Sequence, residues 1–209
     1  MIESLKVTKT AKYATCGNPN TANTILIVLH GYGQLAEYFI RKFNLLNEND
    51  FFVVAPEGLH RFYLKGSSGR VGASWMTKEQ RENDIKDYIA YLNHLWENLS
   101  NKYTFKNKIL LGFSQGGATA SRWHCLGNYN AKQFLLWSAV FPPDMSKDYC
   151  DKFKQSKNYF VFGNKDEYYD NHSIETHFKQ LNQLNFNFEF IKFEGNHNID
   201  SKLLVNLIA

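Results

Sequence analysis

Apolar residues in this chain gather in short unbroken runs. "ILIVLH" (25–30), "FFVVAP" (51–56), "KILLGF" (108–113), "QFLLWS" (133–138), "NYFVFG" (158–163) and "FEFIKF" (188–193) are rich in branched and aromatic side chains. A strand covered on one face alternates apolar and polar positions, so near-continuous runs predict strands covered on both faces. The N-terminal "LKVTKTAKYAT" (5–15) does alternate, which predicts an edge strand or hairpin with one wet face.

Between the runs the period changes. Thr77 and Gln80 have capping-box spacing, and Ile85, Ile89, Leu92, Trp96 and Leu99 then recur at helical intervals. Residues 115–126 are small and helix-compatible, with Gly127-Asn128 read as a left-handed stop. Ile174, Phe178 and Leu181 mark a third helix, and 198–208 a last one. Strand–helix alternation without repeats or linkers predicts one α/β domain over 1–209, with a mostly parallel twisted sheet and helices on both faces. Ligands in such folds bind beyond the C-terminal strand ends, which directs attention to the residues just after each run.

Two connections stand out. "PEGLHRFYLKGSSGRVGASWM" (56–76) reads as a long irregular stretch suited to binding. "AVFPPDMS" (139–146) is short, which predicts no large lid and an open site.

Composition changes this picture little. The formal charge of +4 is dispersed. Lys6, Lys9 and Lys12 lie in the alternating segment, and Lys152, Lys154 and Lys157 read as a solvated helix face, so nucleic acid is not an expected partner. Cys16, Cys125 and Cys150 are odd in number, without C-x-x-C spacing, which predicts neither a disulfide framework nor a zinc site and points to a reducing, cytoplasmic setting. "MIESLKVTKT" lacks a signal-peptide core, and no run is long enough for stable membrane insertion. No His/Asp/Glu set has metal spacing, so neither metal nor cofactor is expected.

The chemistry enters at "GFSQGG" (112–117). Here Gly112-Phe113-Ser114-Gln115-Gly116 reads G-x-S-x-G, placed after a buried strand and before a helix of small residues. That context suits a nucleophile on a strained strand-to-helix turn, with glycines where larger side chains would collide and the Gln115 N–H available to an oxyanion. A phosphate loop is excluded because its spacing and lysine are missing. A serine needs a base and an orienting acid, in the chain order Ser, acid, His on this fold. "VFGNKDEYYD" offers Asp166, nearest the strand end, with Glu167 and Asp170 as rivals, Asp170 also suiting a helix cap. "KFEGNHNID" offers His197 in a loop after the last run, whereas His94, His124, His172 and His177 fall in helices, His60 in a loop, and His30 comes too early.

"LHGYGQ" (29–34), "GFSQGG", the Asp166 turn, "EGNHNI" (194–199) and "ASWMTKEQREND" (73–84) together resemble the phospholipase/carboxylesterase family of α/β-hydrolases, which includes bacterial carboxylesterases, lysophospholipases and acyl-protein thioesterases. The resemblance implies an α/β-hydrolase fold and a serine hydrolase acting on small-molecule carboxylic esters, thioesters or lysophospholipids. It assigns Ser114 as nucleophile, His197 as base and then acid, Asp166 as orienting acid, and the backbone N–H groups of Tyr32 and Gln115 as oxyanion donors. Tyr32 and Gln34 stand where the family often has Leu and Asp. Phe62, Tyr63, Trp75, Phe141 and Tyr168 are candidate walls of an acyl pocket, with core packing the plainer role for each. A binding module that retains the fold, and a hydrolase of another bond such as a peptidase, are the alternatives. Monomer and homodimer both fit the sequence.

Overall fold

A computed structural model describes residues 2–46, 50–145 and 150–208, the side chains of Asn171 and Gln180 aside. Six of the apolar runs become six adjacent strands: β2 (Thr24–Leu29), β3 (Phe51–Pro56), β6 (Asn107–Phe113), β7 (Gln133–Trp137), β8 (Lys157–Gly163) and β9 (Phe188–Phe193). With β1 (Tyr13–Cys16) they form a seven-stranded sheet in the order β1-β3-β2-β6-β7-β8-β9. Every neighbouring pair is parallel except β1–β3.

The pleat sends alternate residues of each run to opposite faces, and each face has its own core. Ile25, Ile27, Leu29, Leu110, Leu136 and Phe160 face helices α2 (Arg81–Ser100), α3 (Gln115–Leu126) and α5 (Asn171–Gln183) through Leu92, Trp96, Trp123 and Leu181. Leu26, Val28, Leu111, Leu135 and Val161 face α1 (Ala36–Phe39), the 3-10 turn Ile40–Leu46 and α6 (Ser201–Ile208) through Phe39, Phe43, Leu204 and Ile208. Continuous runs were therefore a correct sign of two covered faces in the sheet centre. The run at 188–193 is the exception, because β9 ends the sheet and most of its residues keep partial exposure.

Several local expectations are corrected. The alternating N-terminal segment does supply an edge strand, but a short one: β1 takes only its last three residues together with Cys16, paired through Tyr13–Pro56 and Cys16–Val53. The stretch 56–76 is not irregular: β4 (His60–Tyr63) and β5 (Val71–Ser74) make an antiparallel hairpin, and His60 opens β4 with Nε2 3.0 Å from Asp84 Oδ1. Thr77 and Gln80 do not form a capping box. Gln80 is left-handed (φ 51°), and Asp84 reaches back to accept the Thr77 N–H instead. Gly127 is extended rather than left-handed, and its carbonyl accepts from Lys152 Nζ, a cation at a helix C-terminus. Lys152 is thus half-buried, with its ammonium pushed below the usual lysine range by burial, and is no part of a solvated face. Lys157 begins β8 rather than continuing α4 (Lys152–Gln155).

Cys125, in the last turn of α3, is disulfide-bonded to Cys150, with Cα atoms 4.7 Å apart. The sequence reading found no pair because the bond joins a helix end to a segment 25 residues on. The argument for a reducing compartment loses that ground. Of the short segment 139–146, residues 139–145 are described and carry no helix or strand, and Ser146 lies outside the described residues. Among the described residues, no helix is long and apolar enough to cross a membrane.

Candidate active site

Ser114 sits between β6 and α3 with φ 52° and ψ −124°, a conformation L-residues adopt only under strain. Close approach forces it. A Cβ on Gly116 would run into the carbonyl oxygen of Leu29, and one on Gly112 into the backbone of Gly116. The turn is pinned by Ser114 N–H donating to Trp137 O (3.1 Å) and Gly117 N–H donating to Ser114 O (2.9 Å). The side chain of residue 114 is thereby lifted above the C-terminal edge of the sheet, where the fold predicts ligands bind.

Asp166 and His197 meet that hydroxyl from the turns after β8 and β9. His197 Nε2 lies 2.9 Å from Ser114 Oγ, and Nδ1 lies 2.8 Å from Asp166 Oδ2. Asp166 is fully covered and the imidazole nearly so, their side chains being 0% and 10% exposed, which strengthens the attraction between a carboxylate and an imidazolium. Phe113 and Tyr168 flank the imidazole at 4.9 and 4.5 Å between ring centres.

The two turns are sewn together. Lys165 N–H donates to Gly195 O (2.9 Å), and Gly195 N–H donates to Asn164 Oδ1 (3.2 Å). His197 N–H donates to Glu167 Oε2 (3.2 Å), while Trp137 Nε1 and Lys42 Nζ both donate to Asn198. The rival carboxylates therefore have other partners. Glu167 holds the histidine's backbone, and Asp170 caps α5 by accepting the Ser173 N–H (2.8 Å).

The opposite rim is built from backbone. Gly31 approaches Ser114 so closely that a Cβ there would lie 3.1 Å from the serine Cβ. Gln115 is the first residue of α3, and a helix's first N–H groups lack intrahelical acceptors. Among the described residues, no acceptor takes the Tyr32 N–H. Two side chains and a backbone bridge hold the loop carrying Tyr32. Gln34 Oε1 accepts the Gly31 N–H (2.9 Å), Trp75 Nε1 donates to His30 O (2.8 Å), and Gly33 and Gln34 bridge to Ala73 of β5. The Gln115 amide then clamps the hairpin's exit, accepting the Trp75 N–H (3.1 Å) and donating to Met76 O (2.9 Å). The sequence reading missed this use of Gln34, Gln115 and Ser74–Met76. The only cue was that two glutamines flank the site motifs.

His30 is sealed beneath this loop. Its Nε2 accepts the Gly58 N–H (2.9 Å), which leaves Nδ1–H to donate to Gly31 O (2.8 Å). Burial pushes its pKa down to about 4, against weaker opposing pulls from Gly31 and Glu57, so the ring is neutral at pH 7. His124, stacked on Phe134 in α3, is likewise lowered to about 4 by burial.

The five aromatic candidates divide. Trp75 is 1% exposed against the His30 ring and supports the loop from behind, so it does not line an open pocket. Phe141 is 5% exposed within a cluster with Phe153 and Phe186, and is core. Phe62 stacks on Tyr32 at 5.0 Å, Tyr63 is exposed on the opposite face of β4, and Tyr168 is 70% exposed beside His197. Among the described residues, no group of three or more His, Cys, Asp or Glu is placed to hold a metal ion.

Residues 20–204 match the family model described as Serine hydrolase (FSH1). The chain belongs to that family. Solved structures place the same fold around it. Esterase PE8 superposes with a TM-score of 0.69 at 18% identity, over 96% of this chain and 100% of that one. Acyl-protein thioesterase 2 of Zea mays gives 0.71 at 15%, over 95% and 96%. A phospholipase/carboxylesterase of Dyadobacter fermentans gives 0.65 at 18%, over 97% and 98%. These likenesses establish the α/β-hydrolase architecture, in agreement with the resemblance drawn from the motifs. No curated protein matches this serine hydrolase in sequence.

Proposed function

We propose that this serine hydrolase cleaves small carboxylic esters through a Ser114–His197–Asp166 triad and an acyl-enzyme. The observation that carries the reading is the continuous line of contacts from Asp166 Oδ2 through both imidazole nitrogens to Ser114 Oγ, at 2.8 and 2.9 Å. As Ser114 Oγ bonds to the carbonyl carbon, its proton passes to His197 Nε2. Asp166 accepts the Nδ1–H, fixes that tautomer and stabilises the imidazolium. Charge gathering on the carbonyl oxygen is met by the Tyr32 and Gln115 N–H groups, a contribution of about 3–4 kcal/mol per donor. His197 then returns the proton to the departing alkoxide. Water enters and gives a proton to Nε2 as it attacks the acyl carbon, and Nε2 returns that proton to Ser114 Oγ as the acid departs.

Thioesters and lysophospholipids share this chemistry up to the leaving group, and thioesterase and phospholipase appear in the names of neighbours of like fold. Small esters are the favoured class because Tyr168, against the His197 ring, and Tyr32, on the loop beside Ser114, are both surface aromatics. The test is fluorophosphonate labelling of wild type and Ser114→Ala, with hydrolysis of p-nitrophenyl esters of graded length. Labelling that vanishes in the variant, with turnover greatest for short chains, is expected. Folded wild-type protein that takes no label overturns the nucleophile assignment, and turnover confined to long-chain thioesters overturns the substrate class.

A further inference from the structure

A cavity of about 530 Å³ opens beside the oxyanion loop, walled by Gly33, Gln34, Tyr38, Phe39, Lys42 and Arg70 among others. It touches each part of the proposed machinery. Gly33 and Gln34 continue the loop that carries Tyr32. Phe39 stacks on Phe113, the neighbour of Ser114, at 6.0 Å. Lys42 bonds Asn198, the neighbour of His197. The cavity therefore shares its walls with the supports of Ser114 and His197.

Its charge is one-sided. Lys42 and Arg70 are its ionised residues, and no aspartate or glutamate lines it. Among the described residues, Arg70 makes no ion pair, and the partner of Lys42 Nζ is a neutral amide oxygen. Glu37 on α1 is exposed and does not line the cavity, and Glu57 and Asp200 are engaged elsewhere. Glu57 accepts from Arg61 Nε (2.7 Å) and Ala36 N–H (3.1 Å) and pairs with Lys12 at 3.5 Å, while Asp200 caps α6 through Lys202 and Leu203. Half-burial holds the Lys42 ammonium below the ordinary lysine range, a penalty that an anion in the cavity would offset. Lys42 is half-buried and Arg70 is exposed, so the cavity presents two cations to an anion arriving from solvent.

We propose that this cavity is a subsite for an anionic group at the far end of the substrate, a carboxylate or a phosphate monoester, which Lys42 and Arg70 select. The proposal rests on the ester-hydrolase reading and narrows it to esters that carry a negative charge. Tyr38 and Phe39 would cover the chain joining that charge to the ester, and the two cations would grip its end.

The experiment compares kcat/KM for aryl esters of matched length whose acyl chains end in methyl, carboxylate or phosphate, and for a second matched set with the charge on the alcohol side. Wild type should favour a charged ester over its neutral match by about tenfold, the scale of one charge-assisted hydrogen bond. Whether carboxylate or phosphate gains more identifies the anion. Arg70→Gln should cut the ratio, Arg70→Glu should invert it, and raised salt should shrink it in wild type. Lys42→Gln should also cut it, although Lys42 additionally holds the histidine loop, so the Arg70 variants are the cleaner arm. Turnover of the neutral esters with no preference for charge in either set overturns the subsite while leaving the hydrolase reading intact. Folded wild type that turns over none of the esters overturns both.

Discussion

The two rims of the candidate site are built on different plans. On one, His197 presents a ring nitrogen to Ser114 with the Asp166 carboxylate behind it, and the surrounding bonds lock two adjacent turns. On the other, the groups proposed to meet the oxyanion are backbone N–H groups, and the side chains of Gln34, Gln115 and Trp75 hold the backbone around them. Substitution on the first rim removes a reacting group outright. Substitution on the second leaves every donor present and loosens its aim, so its effect should be graded.

The sharpest break in this comparison is Asp166→Asn. It should keep the shape of the acid–base rim yet remove the charge behind Nδ1 and favour the wrong tautomer, lowering kcat on the order of 10⁴-fold. Glu167→Gln, one residue away, should cost far less, because its carboxylate holds only the His197 backbone. Steady-state kinetics on a short p-nitrophenyl ester would separate them. Equal losses would mean that the carboxylate orienting the imidazole has been misassigned.

The rims also differ in how well the chain announces them. The elbow was legible because its strain demands particular residues at fixed spacing, Gly112 and Gly116 around Ser114, and because unbroken apolar runs marked where each strand ends. Asp166 ranks ahead of Glu167 and Asp170 by its nearness to the strand end, and the contacts separate the three, with Asp166 at His197 Nδ1, Glu167 at the His197 N–H and Asp170 at the Ser173 N–H. The hairpin at 56–76 was missed because its strands are four residues each, interrupted by polar and glycine positions, and are fixed by pairing to each other and by the bridge from Gln34 to Ala73. The disulfide was hidden for the same reason. Trp75 and Phe141 looked like pocket walls because sequence identifies a large aromatic residue but not which way it faces.

Acid should affect the backbone rim through His30. Its folded pKa, about 4, lies below the 6.5 of an unperturbed histidine, so the unfolded chain takes up a proton first as pH falls. The stability that comes from keeping this ring neutral is complete above pH 6.5 and is lost as pH drops from there to about 4, up to about 3 kcal/mol for one buried histidine. His124, with the same lowered value, adds a similar loss across the same window from the far side of α3. Urea unfolding at pH 7 and pH 5 should show the decline, and His124→Phe should make it shallower by removing one of the two sites. A pH-independent midpoint would contradict neutral burial of both rings.

The smallest and most discriminating effect is expected at Gln115. Replacing it with Ala keeps the N–H proposed to bind the oxyanion and deletes the clamp on Ser74 Oγ, Trp75 N–H and Met76 O. If the hairpin aims the loop carrying Tyr32, kcat should fall about tenfold, the cost of a misplacement well below 1 Å, with KM little changed. The fluorophosphonate should still label Ser114, only more slowly, since the serine and histidine are untouched. Gln115→Glu should be worse than Ala, because a carboxylate facing Met76 O places two acceptors against each other. A raised KM at constant kcat would instead assign the clamp to ground-state binding, and the second rim would then be a wall of the pocket rather than a splint for the transition state.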